Sequence, residues 1–589
     1  MTNTIQQFQV SSVEELLSQL KQVRSSEDTG KIIGSVADPR LILQDFVPAG
    51  QSLEWEIGAM HWRTMGVRPF VRNEVPFLIN NDGLLSALAA VLLFTNCRET
   101  SKDNEPINVI EFGAGSGLFA RYFLDAFQEL CAQQGANYYD QLTYYVTDSS
   151  PQTVSDWVSR GLYAQHATHV VPASCNAEQL ASLTSVDGNP IVLSKLRSAF
   201  CNYVLDVLPC ALIRENKGHV EELNIRTYLT ADSTLLAQHT TLSPSEIQSL
   251  AQSPTPSDKE KLESLMVLFD YETKFMPVTR SIPYIREAVA WGGNAERIVL
   301  NHGALALLEQ ASTLLDDHGF MLINDYGATE KEEQAAHGVS QRFGATSAIG
   351  INFPLLEHLA EQRSLHVHIP PGDAERAIHT RLITTRKLPT TVELFNARFS
   401  ADSINAFETP ALQARSAVTS GNHSEALDRY REAIEQQPRN WRLLAEIAEF
   451  LLFEIKDASA ALELAQRAVE LNPNMSAWLW NILGDALWIL ERHDDAHTAY
   501  LEAQRIDAGD PRALLNLAYT LLQRANPDAA LIAIAKGLAR DKTGGYRERL
   551  LTKQQHILAT ISSTTGREHE RSLLRQSRLQ TNSLKNSAQ

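Results

Sequence analysis

Alanine recurs at a nearly constant interval through the second half of the chain. Successive occurrences stand 35, 35 and 34 residues apart, and the positions around each one also repeat. Small residues allow two antiparallel helices to approach closely, while large residues such as Trp480 fill the remaining space. A unit of this length cannot bury its apolar face alone, so the pattern requires stacked helix pairs. The four alanines are Ala426, Ala461, Ala496 and Ala530.

This period is similar to that of tetratricopeptide repeats, which is about 34 residues. The resemblance implies about four repeats over residues 406–545, forming an all-α solenoid with a groove for a protein or peptide partner. Residues 546–589 hold eight Lys/Arg and three Glu, and we expect a C-terminal helix there followed by a basic polar tail.

Composition and charge exclude several classes of protein. With 589 residues the chain is too long for one core, so several domains are expected. The formal net charge of −18 argues against a general nucleic-acid binder. No apolar run reaches the roughly 20 residues that a membrane span needs, no signal peptide is evident, and the five cysteines lack metal-ligand spacing. We therefore expect a cytoplasmic protein without a membrane or metal site.

The first two thirds of the chain predict an α/β domain. Residues 51–405 alternate short apolar runs with helical stretches, which is typical of helices packed on a parallel sheet. Before them, residues 1–50 contain the amphipathic stretch SVEELLSQLKQV and are predicted to form a separate helical segment.

A glycine-rich turn, VIEFGAGSGLFARYF, occupies residues 109–123. An apolar strand pattern precedes it and a helical stripe follows, so Gly113, Gly115 and Gly117 lie in a strand–turn–helix. Glycine there permits positive φ and close approach of a ligand. The spacing differs from the GxGxxG of dinucleotide sites, because the third glycine comes one residue early. Glu111 would repel a pyrophosphate but suits a cationic ligand, such as the amino acid part of S-adenosylmethionine.

Polar residues also end the following strands, where open α/β sheets place their ligands. Asp148 closes LTYYVTD and can accept hydrogen bonds from two ribose hydroxyls, although a helix cap is the other interpretation. Asn176 follows HVVPAS and is a candidate for an adenine contact or only for a turn. A later strand, GFMLIND, ends in Asp325.

Four ordered pieces resemble the MidA-like methyltransferases, a group that includes a mitochondrial complex I assembly factor. They are EFGAGSG, VTDSSP, CNYVLDVLPCALIRENKGHVEE and GFMLINDYG, within about residues 105–365. The resemblance implies a seven-stranded, Rossmann-like fold and S-adenosylmethionine as cofactor. Carried over by position, the predicted cofactor residues are Glu111, Gly113, Gly115, Gly117 and Asp148, to which we add Asn176 and Asn202.

The chain departs from this family at Tyr203, where the family has glutamate. A tyrosine hydroxyl, with a pKa near 10, neither pairs with a guanidinium nor accepts its proton well. Tyr203 therefore disfavours arginine, the acceptor that the resemblance implies for at least one relative. Tyr203, Asp206 and Asp325 are predicted to line the acceptor pocket, with Asp206 or Asp325 accepting the proton.

We predict an S-adenosylmethionine-dependent methyltransferase whose protein acceptor is recruited through the repeats. The alternative is a catalytically inactive methyltransferase-fold scaffold that acts in protein assembly. A nucleotide-linked oxidoreductase is disfavoured by the glycine spacing and Glu111.

Overall fold

The computed structural model describes residues 40–72, 83–100, 105–293, 295–335, 341–343, 346–541 and 544–564. They divide into two compact units, of which the first holds the described residues of 40–67 and 83–415 and the second those of 68–72 and 416–564. The predicted helix SVEELLSQLKQV and the basic tail from residue 565 lie outside the described residues. No helix among the described residues is long and apolar enough to cross a membrane.

An eight-stranded sheet organises the first unit. In chain order its strands are β1 (Ile107–Phe112), β2 (Leu142–Asp148), β3 (Val170–Asn176), β4 (Gln179–Ser185), β5 (Leu196–Asn202), β6 (Leu315–Asp325), β7 (His366–His368) and β8 (His379–Thr384). Their spatial order is β7–β8–β6–β5–β1–β2–β3–β4. The five strands from β6 to β3 run parallel, so their carboxyl ends meet at one edge of the sheet.

The strand count differs from the seven that the resemblance implies, and the described residues give eight. Strand β4 turns back from β3 and adds an antiparallel strand at one end of the sheet. β8 pairs antiparallel with β6, and β7 pairs antiparallel with β8. The seven-strand count is therefore not confirmed, whereas the buried parallel centre is as predicted: all six residues of β1 are buried.

Helices connect the parallel strands. Leu118–Gln134 joins β1 to β2, and Pro151–Ser159 joins β2 to β3. Leu84–Thr100 packs against Leu118–Gln134 and buries most of its apolar residues. The other helices of this part are Leu53–Met65, Ser233–His239, Pro244–Gln252, Lys259–Leu265, Ile285–Gly292, His302–Leu314, Phe353–Gln362 and Pro389–Arg398.

A second sheet of five strands belongs to the same unit. Residues Leu41–Pro48, predicted as part of a helical segment, instead form a strand that pairs antiparallel with His219–Leu229. That pairing joins residues about 180 positions apart, and local pattern reasoning does not reveal it. The remaining strands of this sheet are Ala211–Asn216, Phe269–Pro277 and Ile298–Leu300.

The second unit is all helical among the described residues, and its consecutive helices from Trp441 onward pack on one another. Each of the four periodic alanines is fully buried, which confirms that these positions bring neighbouring helices together. The helices, starting with one that spans both units, are Ala401–Thr419, His423–Gln436, Trp441–Phe450, Ala458–Leu471, Ala477–Ile489, His493–Ile506, Pro511–Gln523, Pro527–Arg540 and Arg547–Thr564.

A substitution at Gly484 tests how closely the helices Ala477–Ile489 and His493–Ile506 pack. A Cβ atom there would lie 2.6 Å from Cδ1 of Tyr500, whose hydroxyl donates to Asp485 Oδ1 at 2.7 Å. Alanine favours a helix over glycine by about 1 kcal/mol, but overpacking costs about 1–3 kcal/mol. We expect Gly484→Ala to lower the free energy of unfolding by about 1 kcal/mol in urea denaturation. A more stable variant would contradict the close approach of the two helices.

Candidate functional site

The glycine turn after β1 has a backbone that glycine adopts without strain. Gly113, Gly115 and Gly117 have φ values of 61°, 53° and 75°. A Cβ atom on Gly113 would lie 2.5 Å from Cγ2 of Val204. The positive φ and the close packing expected of this motif are therefore both present.

Two aromatic side chains that the sequence analysis did not single out hold the turn in place. Trp157 Nε1 donates to the Gly115 carbonyl at 3.0 Å, and the Tyr163 hydroxyl donates to the Gly117 carbonyl at 3.0 Å. Both side chains are buried. In the sequence they look like ordinary core residues, and no pattern marks them as supports of the turn.

Glu111 is fully buried at the end of β1, immediately before the turn. Its Oε2 accepts a hydrogen bond from the Tyr144 hydroxyl at 3.1 Å. Among the described residues, its Oε1 has no hydrogen-bond partner. Burial raises the pKa of Glu111 to about 8, although Tyr144 and Asn202 both lower it. A buried carboxyl with an unpartnered oxygen is costly unless something else binds it.

Asp148 ends β2 next to the glycine turn. Its Oδ2 accepts from the Gly115 N–H at 3.1 Å, and its Oδ1 accepts from the Ser150 N–H at 2.9 Å. The cap of the following helix is Ser150, whose side chain accepts from the Thr153 N–H, so Asp148 is not the cap residue. Burial raises its pKa to about 6. Each carboxylate oxygen retains a lone pair that can accept a further hydrogen bond.

Asn176 lies at the exposed end of β3, in the turn to β4. Its Oδ1 accepts from the Glu178 N–H at 3.1 Å, and its own N–H donates to Ser182 Oγ at 2.9 Å. The turn role considered for Asn176 is therefore present, while its contact with adenine stays a prediction.

Asn202 ends β5, which lies between β1 and β6, and Tyr203 follows it directly. Asn202 is buried, its Oδ1 accepts from Asn324 Nδ2 at 2.8 Å, and its Nδ2 is another atom without a partner in the described part of the chain. Tyr203 is half-buried with φ 51°, and its N–H donates to the Asn324 carbonyl at 3.0 Å. A left-handed backbone is strained for tyrosine and is often found at functional sites.

Asp206 and Asp325 form a buried carboxyl pair near the ends of β5 and β6. Oδ2 of Asp325 accepts from the Leu205 N–H at 2.9 Å and Oδ1 accepts from the Tyr326 N–H at 2.9 Å. Asp206 Oδ1 lacks a partner among the residues that the structure describes. Burial raises the pKa of Asp206 to about 6, and burial together with the Asp206 charge raises that of Asp325. The pair therefore titrates as a unit.

These residues meet at one edge of the sheet, although they come from four separate segments. Register pairs place Glu111 beside Val146, and Asn202 beside Asn324. Residues 88–348, which include this edge, match the family model described as "Putative S-adenosyl-L-methionine-dependent methyltransferase". This part of the chain is similar to that family of methyltransferases.

The helical region has its own match beside the methyltransferase segment. Residues 412–476 and 483–545 both match the tetratricopeptide repeat model, which confirms the repeat prediction. No curated protein matches the chain.

Solved structures show weaker similarities. A protein of Burkholderia thailandensis bound to S-adenosyl-homocysteine is 14% identical, with a TM-score of 0.37 over 56% of this chain and 75% of that one. A fragment of MamA from Desulfovibrio magneticus is 14% identical, with a TM-score of 0.25 over 30% and 96% of the two chains. Yeast Tom70 is 17% identical, with a TM-score of 0.25 over 30% and 38%.

S-adenosylmethionine, the cofactor of this methyltransferase family, matches the chemistry of the residues at the sheet edge. The unpartnered Oε1 of Glu111 suits its ammonium group, and the remaining lone pairs of Asp148 suit two ribose hydroxyls. The side-chain-free turn at Gly113 and Gly115 leaves the backbone open to close approach.

Proposed function

We propose that the chain transfers a methyl group from S-adenosylmethionine to a protein acceptor bound by its repeats. The observation that carries this proposal is a buried carboxyl and a buried amide directly beside a glycine turn with positive φ. Among the described residues, Glu111 Oε1 and Asn202 Nδ2 make no hydrogen bond of normal length, although Asn202 lies near enough to lower the pKa of Glu111. A fold without a ligand at this position would gain stability by replacing such groups with apolar side chains.

In this proposal the cofactor residues act by position and charge. Glu111 holds the ammonium group, Asp148 holds the ribose, and Gly113, Gly115 and Gly117 let the backbone lie against the ligand. Asn202 contributes its amide beside Glu111. When bound, the cofactor supplies an activated methyl group on a sulfonium, so the chain needs mainly to orient an acceptor and remove its proton.

Asp206 is the proposed proton acceptor, and Asp325 positions it. Asp325 receives N–H bonds from Leu205 and from Asp206 itself, the latter at 3.4 Å, so it holds the short turn that carries Asp206. The acceptor N–H or O–H would transfer its proton to Asp206 Oδ1 as the acceptor–methyl bond forms and the sulfonium–methyl bond breaks. Tyr203 lies between Asn202 and this turn and is proposed to contact the acceptor.

Asp206→Asn tests this assignment. We expect methyl transfer to fall about 100-fold or more, while the dissociation constant for S-adenosylmethionine changes less than about twofold, since Asp206 is not among the proposed cofactor residues. The measurement is incorporation of labelled methyl into acceptor, with cofactor binding followed by calorimetry. Unchanged incorporation would remove Asp206 from the mechanism.

The repeats are proposed to select the acceptor. Large apolar side chains stay exposed on their helices, including Ile489 (52% exposed) and Tyr519 (39%). Such residues are typical of interaction surfaces when they cluster, and tethering an acceptor raises its effective concentration. Labelled S-adenosylmethionine added with the protein to host lysate should label one or a few proteins. Label found only in small molecules would contradict a protein acceptor, and binding without any transfer would favour the scaffold.

A further inference from the structure

A row of side-chain hydrogen bonds crosses the central sheet toward Glu111. Thr380 of β8 donates its hydroxyl proton to Asn324 Oδ1 at 2.8 Å, and Asn324 of β6 donates from Nδ2 to Asn202 Oδ1 at 2.8 Å. From the other side, Tyr144 of β2 donates to Glu111. These five residues lie on five adjacent strands, β8, β6, β5, β1 and β2, and the described hydrogen bonds reach Asn202 from one side and Glu111 from the other.

The direction of these bonds fixes how the Asn202 amide is turned. With its Oδ1 occupied by Asn324, Asn202 has only Nδ2 left to offer to Glu111 on β1, and the nearness of this amide lowers the pKa of Glu111. If Asn324 were turned around, its oxygen would face Asn202, and Asn202 would turn its own oxygen toward Glu111. Two acceptors would then face each other unless Glu111 kept its proton.

We propose that Asn324 and Thr380 are positioning residues that orient the Asn202 amide, so that Glu111 is ready to receive a cationic group. This inference rests on the proposed function, because it concerns how the cofactor's ammonium group is bound. Neither residue belongs to the predicted site, and both are buried: Asn324 is 1% and Thr380 8% exposed. They act through Asn202, at a distance of two and three side chains from Glu111.

The titratable groups around Glu111 come from three elements. Asp148 and Tyr144 face it from β2, Cys201 from β5, and Tyr163 from the segment after the helix Pro151–Ser159. None of these four is a cation. Among the described residues, the polar side chains of Tyr144 and Asn202 are therefore what offsets part of the rise that burial causes in the pKa of Glu111.

Asn324→Asp tests the inference, because aspartate can accept from Thr380 but cannot donate to Asn202. Asn202 should then turn its Nδ2 toward residue 324 and its oxygen toward Glu111. We expect S-adenosylmethionine to bind the variant about tenfold more weakly than the natural chain at pH 7. The difference in affinity between the natural chain and Asn324→Asp should become smaller toward pH 9, where Glu111 ionises in both proteins. The ratio of the two affinities cancels the titration of the ligand's own amino group.

A second pair of variants provides a matched control. Thr380→Val removes the first donor of the row. Thr384→Val instead removes a buried hydroxyl of the same strand that is hydrogen-bonded to the Arg386 carbonyl and to the His368 ring, neither of which belongs to the row. We expect Thr380→Val to weaken S-adenosylmethionine binding about threefold or more, with no change for Thr384→Val. If Asn324→Asp does not fold, the comparison of Thr380→Val with Thr384→Val tests the positioning role by itself.

These experiments distinguish failure of the positioning role from failure of the proposed function. If the natural chain does not bind S-adenosylmethionine, the proposed function is wrong, and this inference falls with it. If the natural chain binds but Asn324→Asp follows the same pH profile, or Thr380→Val equals Thr384→Val, only the positioning role is overturned.

Discussion

Glu111→Gln is expected to make the free protein more stable at alkaline pH while weakening its binding of S-adenosylmethionine. The pKa of Glu111 is about 8 in the folded protein, well above the ordinary glutamate value near 4.3. A folded pKa that is raised gives stability that is complete below the unfolded pKa and is lost as the pH rises through the folded one. Between the unfolded and the folded pKa of Glu111, the free energy of unfolding of the natural chain therefore falls as the pH rises. Glu111→Gln loses no stability through this residue.

The size of this effect follows from the same linkage. Each pH unit within the interval is worth up to about 1.4 kcal/mol, so we expect Glu111→Gln to gain about 2 kcal/mol or more at pH 9. At pH 4 the two proteins should be nearly equal. Urea denaturation at both pH values measures the difference, which includes the repulsion between the charges of Glu111 and Asp148 in the natural chain. Loss of the charge should weaken cofactor binding about tenfold or more. If Glu111→Gln were less stable than the natural chain at pH 9, this would contradict the claim that the charge of Glu111 is uncompensated in the free protein.

Gly117→Ala is expected to have the largest effect of any single change in the turn. A Cβ atom there would meet the Tyr163 hydroxyl, Leu162 Cδ2 at 2.8 Å and Trp157 Nε1 at 2.9 Å. Tyr163 and Trp157 hold the turn, so both supports would have to move. We expect a loss of about 3 kcal/mol in the free energy of unfolding from crowding and positive φ together, and loss of cofactor binding.

Gly135→Ala is the matched control for this change. Gly117 and Gly135 cap the two ends of the same helix, Leu118–Gln134, and both have positive φ. A Cβ on Gly135 meets nothing within 4 Å. Its substitution should therefore cost only about 1 kcal/mol of backbone strain and leave cofactor affinity unchanged. If Gly117→Ala and Gly135→Ala lowered the free energy of unfolding equally, positive φ alone would explain both losses. That result would contradict the close packing around Gly117.

The centre of the first unit could be predicted because its signals are local. The apolar run of β1, the three glycines and the helical stripe after them lie in one continuous stretch, residues 107–134, and each follows from simple steric rules. Since parallel strands share a carboxyl edge, placing Glu111, Asp148 and Asn202 at strand ends was enough to bring them together. The helix contacts at the four periodic alanines could also be predicted from the sequence, because these alanines recur at a nearly constant interval.

What the sequence could not reveal are contacts between distant segments. The donors that reach Glu111 and Asn202 come from Tyr144 and Asn324, 33 and 122 residues away. Asp325 was predicted as a candidate base, but its oxygens accept backbone N–H bonds from Leu205 and Tyr326, which makes it a support in the proposal above. The strand Leu41–Pro48 likewise depends on a partner far along the chain.

Calorimetric titration of S-adenosylmethionine at pH 7, in two buffers of different ionisation enthalpy, tests the central claim most directly. If Glu111 receives the ammonium group, the proton that it holds below pH 8 must leave on binding. We expect one ligand to bind with release of close to one proton by the natural chain and none by Glu111→Gln. Absence of binding at millimolar ligand, or equal proton release by both proteins, would contradict the account.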